Sequence, residues 1–161
     1  GMVAFGYAFT VDARVWSGHE HLGGWSRKGY LQSGPYAGER AGMRYVRFRE
    51  WLAKIPPTVE LGVVAYEAPY LTKGGFYAVR ALFGLETRLE EFGAERDCDV
   101  RRIHPATIKK HACGYGRATK LAMVAAMRAK GHDVEDHNEA DALALLYYVR
   151  QQGGVNNGRE K

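Results

Sequence analysis

The spacing of apolar and polar residues divides the chain into early strands and late helices. Positions 3–16 carry Tyr7, Phe9, Val11, Val15 and Trp16, aromatic and β-branched types that predict a strand. A turn at 11–14 would bring the chain back as a second strand over 15–21. Positions 22–35 are rich in Gly and Ser and predict a loop. A helical period follows over 39–54, with Met43, Val46 and Trp51 as the expected stripe, and Ile55-Pro56-Pro57 stops it. Leu61-Gly62-Val63-Val64-Ala65-Tyr66 is a continuous apolar run, the pattern of a strand covered on both faces, and it ends at Glu67.

A long amphipathic helix is expected over 76–92, with Val79, Leu82, Phe83, Leu85 and Leu89 inward. A short strand over 98–103 and three helices over 106–112, 117–130 and 138–151 complete the pattern. In the 117–130 helix Leu121, Val124, Ala125 and Met127 are available to pack. In the last helix Ala142, Leu145 and Leu146 recur at helical spacing, as do Leu143 and Tyr147. The order predicts an α/β fold in one domain over 1–152, with a central mixed β-sheet flanked by helices. The polar segment 153–161 is expected to be a flexible tail.

Composition narrows the class. A chain of 161 residues with 46% hydrophobic and 25% charged residues is that of an ordinary globular protein. No stretch approaches the roughly 18 unbroken apolar residues of a membrane span. Cys98 and Cys113 form neither a metal spacing nor a disulfide framework, and a reduced cytoplasmic setting is expected. The net charge is +5, but its distribution says more. Positions 101–130 hold eight Lys or Arg and no Asp or Glu. That asymmetry predicts a polyanionic partner.

Candidate chemistry gathers at two places. At the start of the last helix, Asp141 shares a face with His137 and Asn138, four and three residues earlier. Glu139, two residues from Asp141, points elsewhere. An acid so placed suits a hard cation, which takes oxygen ligands; alternatively Asn138 is an N-cap and the acids favour the positive end of the helix. Glu67 stands at the C-terminal end of a strand, where open α/β sheets bind ligands; the alternative is an acid turned to water. Between them, Gly114-Tyr115-Gly116-Arg117-Ala118-Thr119-Lys120 precedes or opens a helix. It is not a P-loop. Its glycines would let backbone approach a phosphate, with Lys120 one turn into the helix, or simply cap one helix before another. His104, His111 and His132 are isolated, and surface or core positions are expected for them.

Together these motifs resemble a known family. Pro105-x-x-Ile108-Lys109-Lys110, then Gly114-x-Gly116-Arg117-Ala118-x-Lys120, then Glu139-Ala140-Asp141-Ala142-Leu143-Ala144 resemble, in order and spacing, the RuvC family of Holliday junction resolvases, its phage-type members above all. Ala65-Tyr66-Glu67-Ala68-Pro69 resembles the family's second acidic site, and Gly6-Tyr7-Ala8-Phe9 the end of its first motif. The resemblance spans about positions 6–149. It implies a ribonuclease-H-like fold and a homodimer that cuts branched DNA with two Mg²⁺ or Mn²⁺ ions per active site. Glu67, Asp141 and Lys120 would be catalytic. Glu67 and Asp141, completed by Asn138 or His137, would hold metal, and Lys109, Lys110, Arg117 and Lys120 would meet DNA.

Two departures qualify the expectation. The family's first acid would precede Gly6-Tyr7, where the sequence has none: either a first strand that carries it is missing from the sequence, or the protein lacks that acid; Asp12 lies too far beyond to substitute without a rearranged hairpin. Asn138 stands where the family often has an acid or His. The alternatives are therefore a DNA-binding protein of the same fold with impaired catalysis, or another ribonuclease-H-like nuclease.

Overall fold

In the computed structural model, residues 2–11, 14–24, 26–27, 30–31, 36–69 and 75–152 are described. Asp12 and the 153–161 tail lie outside them. The elements run β1 (Met2–Val11), β2 (Arg14–Gly24), β3 (Ser26–Arg27), β4 (Tyr30–Leu31), α1 (Met43–Leu52), β5 (Val63–Glu67), α2 (Gly75–Glu95), β6 (Asp99–Ile103), α3 (Pro105–Cys113), α4 (Lys120–Ala129) and α5 (His137–Gln151). Among the described residues the strands pair as β1 with β2, β3 with β4 and β5 with β6. The stretch expected to be loop over 22–35 holds the end of β2 and the short antiparallel pair β3–β4 instead. Ser and Gly weaken strand propensity without forbidding a ladder.

The chain groups into two compact units, each drawn from separated stretches. One comprises Gly1–Ala4, His21–Val64 and Pro69–Val100; the other Phe5–Glu20, Ala65–Ala68 and Arg101–Lys161.

In the first unit α1 packs on α2. The buried face of α1 is Arg44, Phe48 and Leu52, not the expected Met43, Val46 and Trp51. The buried three are spaced by four residues, which keeps them on one row of the helix. Arg44 is accommodated because its Nε donates to the Ala41 carbonyl at 3.0 Å. On α2, Ala78, Val79, Ala81, Leu85 and Phe92 are buried, while Phe76 and Phe83 are 72% and 45% exposed. The inward placement expected for Phe83 is therefore wrong. Arg96 follows α2 and donates to the carbonyls of Ile55, Pro56 and Val59, fixing the turn between α1 and β5.

β5 and β6 run parallel, because their bonds advance together: the Asp99 N–H reaches the Gly62 carbonyl at 3.2 Å, and the Ala68 N–H reaches Ile103 at 2.8 Å. A parallel pair needs a crossover, and α2 supplies it. The apolar run of β5 is half-buried apart from Tyr66, so the strand is less covered than its sequence predicts. The Ala68 bond anchors the strand end that carries Glu67.

In the second unit α3, α4 and α5 pack on one another. Met123 and Met127 of α4 and Ala140, Leu143 and Ala144 of α5 are fully buried. The buried line of α5 thus runs through Ala140, Leu143 and Ala144, whereas Ala142, Leu146 and Tyr147 are only half-buried. Two alanines give α5 a flat face that neighbouring helices can approach. α4 begins at Lys120, capped by Thr119, whose Oγ1 accepts from the Ala122 N–H at 3.2 Å. Lys120 therefore opens the helix rather than lying a turn inside it. Leu121, expected to pack, is 82% exposed.

Leu143→Ala should lower unfolding stability by about 2–5 kcal/mol, the cost of a buried cavity that closes only in part. Urea unfolding followed by circular dichroism reads this as a lower midpoint. A midpoint matching that of the parent chain would show that α5 is not the centre of its unit.

Candidate functional site

The candidate site lies within the second unit, where four elements converge. Glu67 closes β5, Lys109 lies on α3, Lys120 opens α4, and Asp141 sits one turn into α5. Each local fold has a readable cause. Pro105 occupies the first position of α3, where a missing N–H costs nothing. His104 caps that helix, its Nδ1 accepting from the Ala106 N–H at 3.1 Å, so one of the three isolated histidines is a cap. His132 meets the Tyr147 hydroxyl at 2.7 Å, and His111 lies edge-on to Tyr148. α5 is capped by Asp136, not Asn138. The Asp136 Oδ1 accepts from the Glu139 N–H at 2.9 Å, and the Asn138 amide donates to Asp136 Oδ2 at 2.8 Å.

The electrostatics centre on two carboxylates. Glu67 is exposed at the strand tip, yet enough protein surrounds it that its carboxyl is pushed up to about 7. Loss of water is the main cause, the negative charge of Asp141 adds to it, and Lys109 opposes it. Asp141 is half-buried and is also raised. Loss of water again leads, Lys109, His137 and Lys120 oppose, and Asp136 adds a little. Cys113 is raised too, by burial and then by Asp141. Asp141 is thus the hub: it acts on Glu67 and Cys113 and feels Lys109, His137, Lys120 and Asp136.

Two like charges brought together out of water hold a proton in place of a second charge. A divalent cation can take the role of that proton. The donors are hard oxygens, which suit Mg²⁺ or Mn²⁺, and Mg²⁺ keeps several waters beside one or two carboxylates. Glu67 and Asp141 therefore fit one such ion. Among the described residues no group of three or more His, Cys, Asp or Glu is placed to hold a metal.

The other residues singled out in the sequence fall around this pair in different ways. His137 is near enough to influence Asp141, whereas the Asn138 amide is engaged with Asp136. Lys110 and Arg117 are exposed. Lys109, expected only at a DNA surface, acts on both carboxylates. Lys109 and Cys113 are four apart on α3 and share a face, and Asp141 acts on Cys113 as Lys109 acts on Asp141.

Sequence reasoning also missed a second polar cluster. Glu139 is 5% exposed. It accepts from the Ser17 hydroxyl at 2.6 Å and the Glu135 N–H at 2.9 Å. His19 Nδ1 lies 3.7 Å from Asp136 and 3.9 Å from Glu135. Burial alone would raise the Asp136 carboxyl. The Glu139 N–H and the Asn138 amide outweigh that, aided by His19 and His137, and hold it below the usual range. The Asp136-x-x-Glu139 spacing, a variant of the capping box, is the sequence signal for this arrangement.

The fold belongs to the ribonuclease-H-like class. It is shared with RuvC from Thermus thermophilus: one structure of that protein matches with a TM-score of 0.60 at 18% identity, over 95% of this chain and 99% of that one. A second, T. thermophilus RuvC in complex with a Holliday junction substrate, matches with a TM-score of 0.65 at 18% identity, over 96% and 92%. No protein-family model matches the chain, and no curated protein matches it significantly. Among the described residues no helix is long and apolar enough to cross a membrane.

The raised Glu67 carboxyl makes a pH prediction. Its folded value of about 7 exceeds its ordinary 4.5, so its contribution to stability is complete below about 4.5 and is lost as pH rises through 7. Glu67→Gln removes that loss. Discounted to about 1 kcal/mol for solvent screening, the gain is a Tm roughly 2–4 °C above the parent chain at pH 8 without divalent metal, shrinking to none near pH 4. Parallel Tm curves across that range would mean that Glu67 is an ordinary surface acid.

Proposed function

We propose that the chain is a metal-dependent endonuclease of branched DNA. The observation that carries the reading is the Glu67–Asp141 pair, both raised by burial and Glu67 also by the charge of Asp141, and flanked by Lys109 and Lys120, on a fold shared with RuvC. Glu67 and Asp141 would hold Mg²⁺ or Mn²⁺. When bound, such an ion supplies positive charge that stabilises a phosphodiester under attack by water.

The protein's own groups do the rest. Lys120, exposed at the first position of α4, offers an ammonium to a phosphate oxygen beside the positive end of a helix that Thr119 caps. Lys109 balances the carboxylates before metal arrives. Lys110 and Arg117, exposed in the acid-free stretch, hold the flanking backbone. A pair of ions per site needs donors beyond these two carboxylates. A homodimer would match the two-fold symmetry of a four-way junction. Phe76 and Phe83, seven residues apart and exposed on α2, offer it apolar surface.

A second reading, junction binding with slow cleavage, is favoured by the donor count, since the described residues bring two carboxylates together rather than three or more. One experiment separates the two. A labelled four-way junction is incubated with the protein and Mg²⁺ or Mn²⁺, and binding and cleavage are read in parallel. Metal-dependent cutting should fall by at least about 10²-fold in Asp141→Asn, since a metal contributes several kcal/mol and each 1.36 kcal/mol is tenfold. Tight binding with cutting no faster than in the variant would select the second reading. Binding to neither branched nor duplex DNA would reject both.

Salt dependence tests the surface. Lys110→Ala combined with Arg117→Ala should flatten the slope of log K against log salt by about 2, one for each phosphate no longer neutralised. An unaltered slope would move the DNA surface elsewhere on the chain.

A further inference from the structure

Among the described residues of the second unit, two large apolar side chains stand open to water: Tyr115, 52% exposed, and Leu121, 82% exposed. Both fall within the stretch 101–130 that has eight cations and no acid. Tyr115 is not the tip of a loose loop. Gly114 before it adopts φ +85°, the left-handed conformation that closes α3, and its N–H returns to the Lys110 carbonyl at 2.9 Å. Gly116 after it lies against α3: a Cβ there would stand 3.1 Å from the Ala106 carbonyl oxygen. Ala118 is 3% exposed, and Thr119 caps α4. The segment is thus fastened on both sides of the one ring it holds out to solvent. A ring held at a fixed place with half its surface open to water, among exposed cations, is available to a group outside the fold.

We propose that Tyr115 is a stacking platform for an unpaired base of a nucleic-acid strand whose backbone runs over Lys110, Arg117 and Lys120. The inference rests on the nucleic-acid reading above and adds a residue to it. An aromatic face beside a cationic track suits single-stranded or splayed nucleotides, because every base has a π-face and the cations follow the phosphates. A protein partner would need acidic groups to meet this surface, and paired duplex would leave the ring no base to stack on. The bases at the centre of a branch are those free to unstack.

The test compares Tyr115→Ala and Tyr115→Phe with the parent chain. Binding is measured by fluorescence anisotropy, in Ca²⁺, on a single strand, a four-way junction carrying 2-aminopurine at the branch, and plain duplex. Tyr115→Ala should weaken strand and junction binding by about 5- to 150-fold and leave duplex binding unchanged. The salt slope should stay as in the parent, because tyrosine neutralises no phosphate. Tyr115→Phe should keep the affinity and the quenching of 2-aminopurine, since the ring does the work. Junction binding by the parent with Tyr115→Ala equally tight overturns this inference alone. An equal loss on duplex also overturns it, since the ring would then be supporting the basic surface. No binding by the parent to any of the three overturns the nucleic-acid reading and this inference with it.

Discussion

The second unit is arranged around a repulsion. Glu67 and Asp141 come from a strand end and a helix, positions far apart in sequence; burial raises both, and the charge of Asp141 raises the cost of ionising Glu67 further. Left in water, such a pair would separate. Two anchors hold it: the Ala68 bond to Ile103 fixes the strand end, and the buried Ala140–Leu143–Ala144 face fixes the helix on either side of Asp141. Packing of α5 against α3 and α4 therefore offsets the electrostatic cost at the site. A site that repels itself when empty is suited to a cation, because binding relieves the repulsion.

The cationic groups fall into two sets. Lys109, His137 and Lys120 act on Asp141, while Lys110 and Arg117 stand exposed, as Lys120 does. The first group tunes the carboxylates, and the second is free to meet a polyanion. The start of α5 has a separate task. Asp136, Asn138, Glu139, Ser17 and His19 are engaged with one another there, and this network sets where the helix begins and so where Asp141 projects.

Much of this was legible in the sequence, and what was missed has physical reasons. The strand ending at Glu67, the helix carrying Asp141 and the break at His104-Pro105 all follow from patterns of apolar runs and helix stops. The apolar pattern implies an α/β fold, and the family resemblance carried by the motifs implies that it is ribonuclease-H-like. The buried face of α1 was misread because Arg44 lies on it, and an arginine enters a core only when its polar end has a partner, here Ala41. Phe83 was misread because amphipathicity names an apolar face without saying how much of it is covered. Glu139 was set aside because it does not share a face with Asp141. Its role depends on Ser17, 122 residues away in the chain. Lys109 appeared only as one cation in a basic run, because sequence cannot show which lysine of a pair turns toward an acid.

The central claim is that Glu67 and Asp141 together hold a divalent cation. Paramagnetic broadening by Mn²⁺ tests it most directly, read on the isotope-labelled protein by NMR at substoichiometric metal. The predicted result is broadening centred on Glu67, Lys109 and Asp141, displaced by excess Mg²⁺, and lost in either Glu67→Gln or Asp141→Asn. Broadening centred instead on Glu135 and Asp136, and untouched by those two substitutions, would contradict the account.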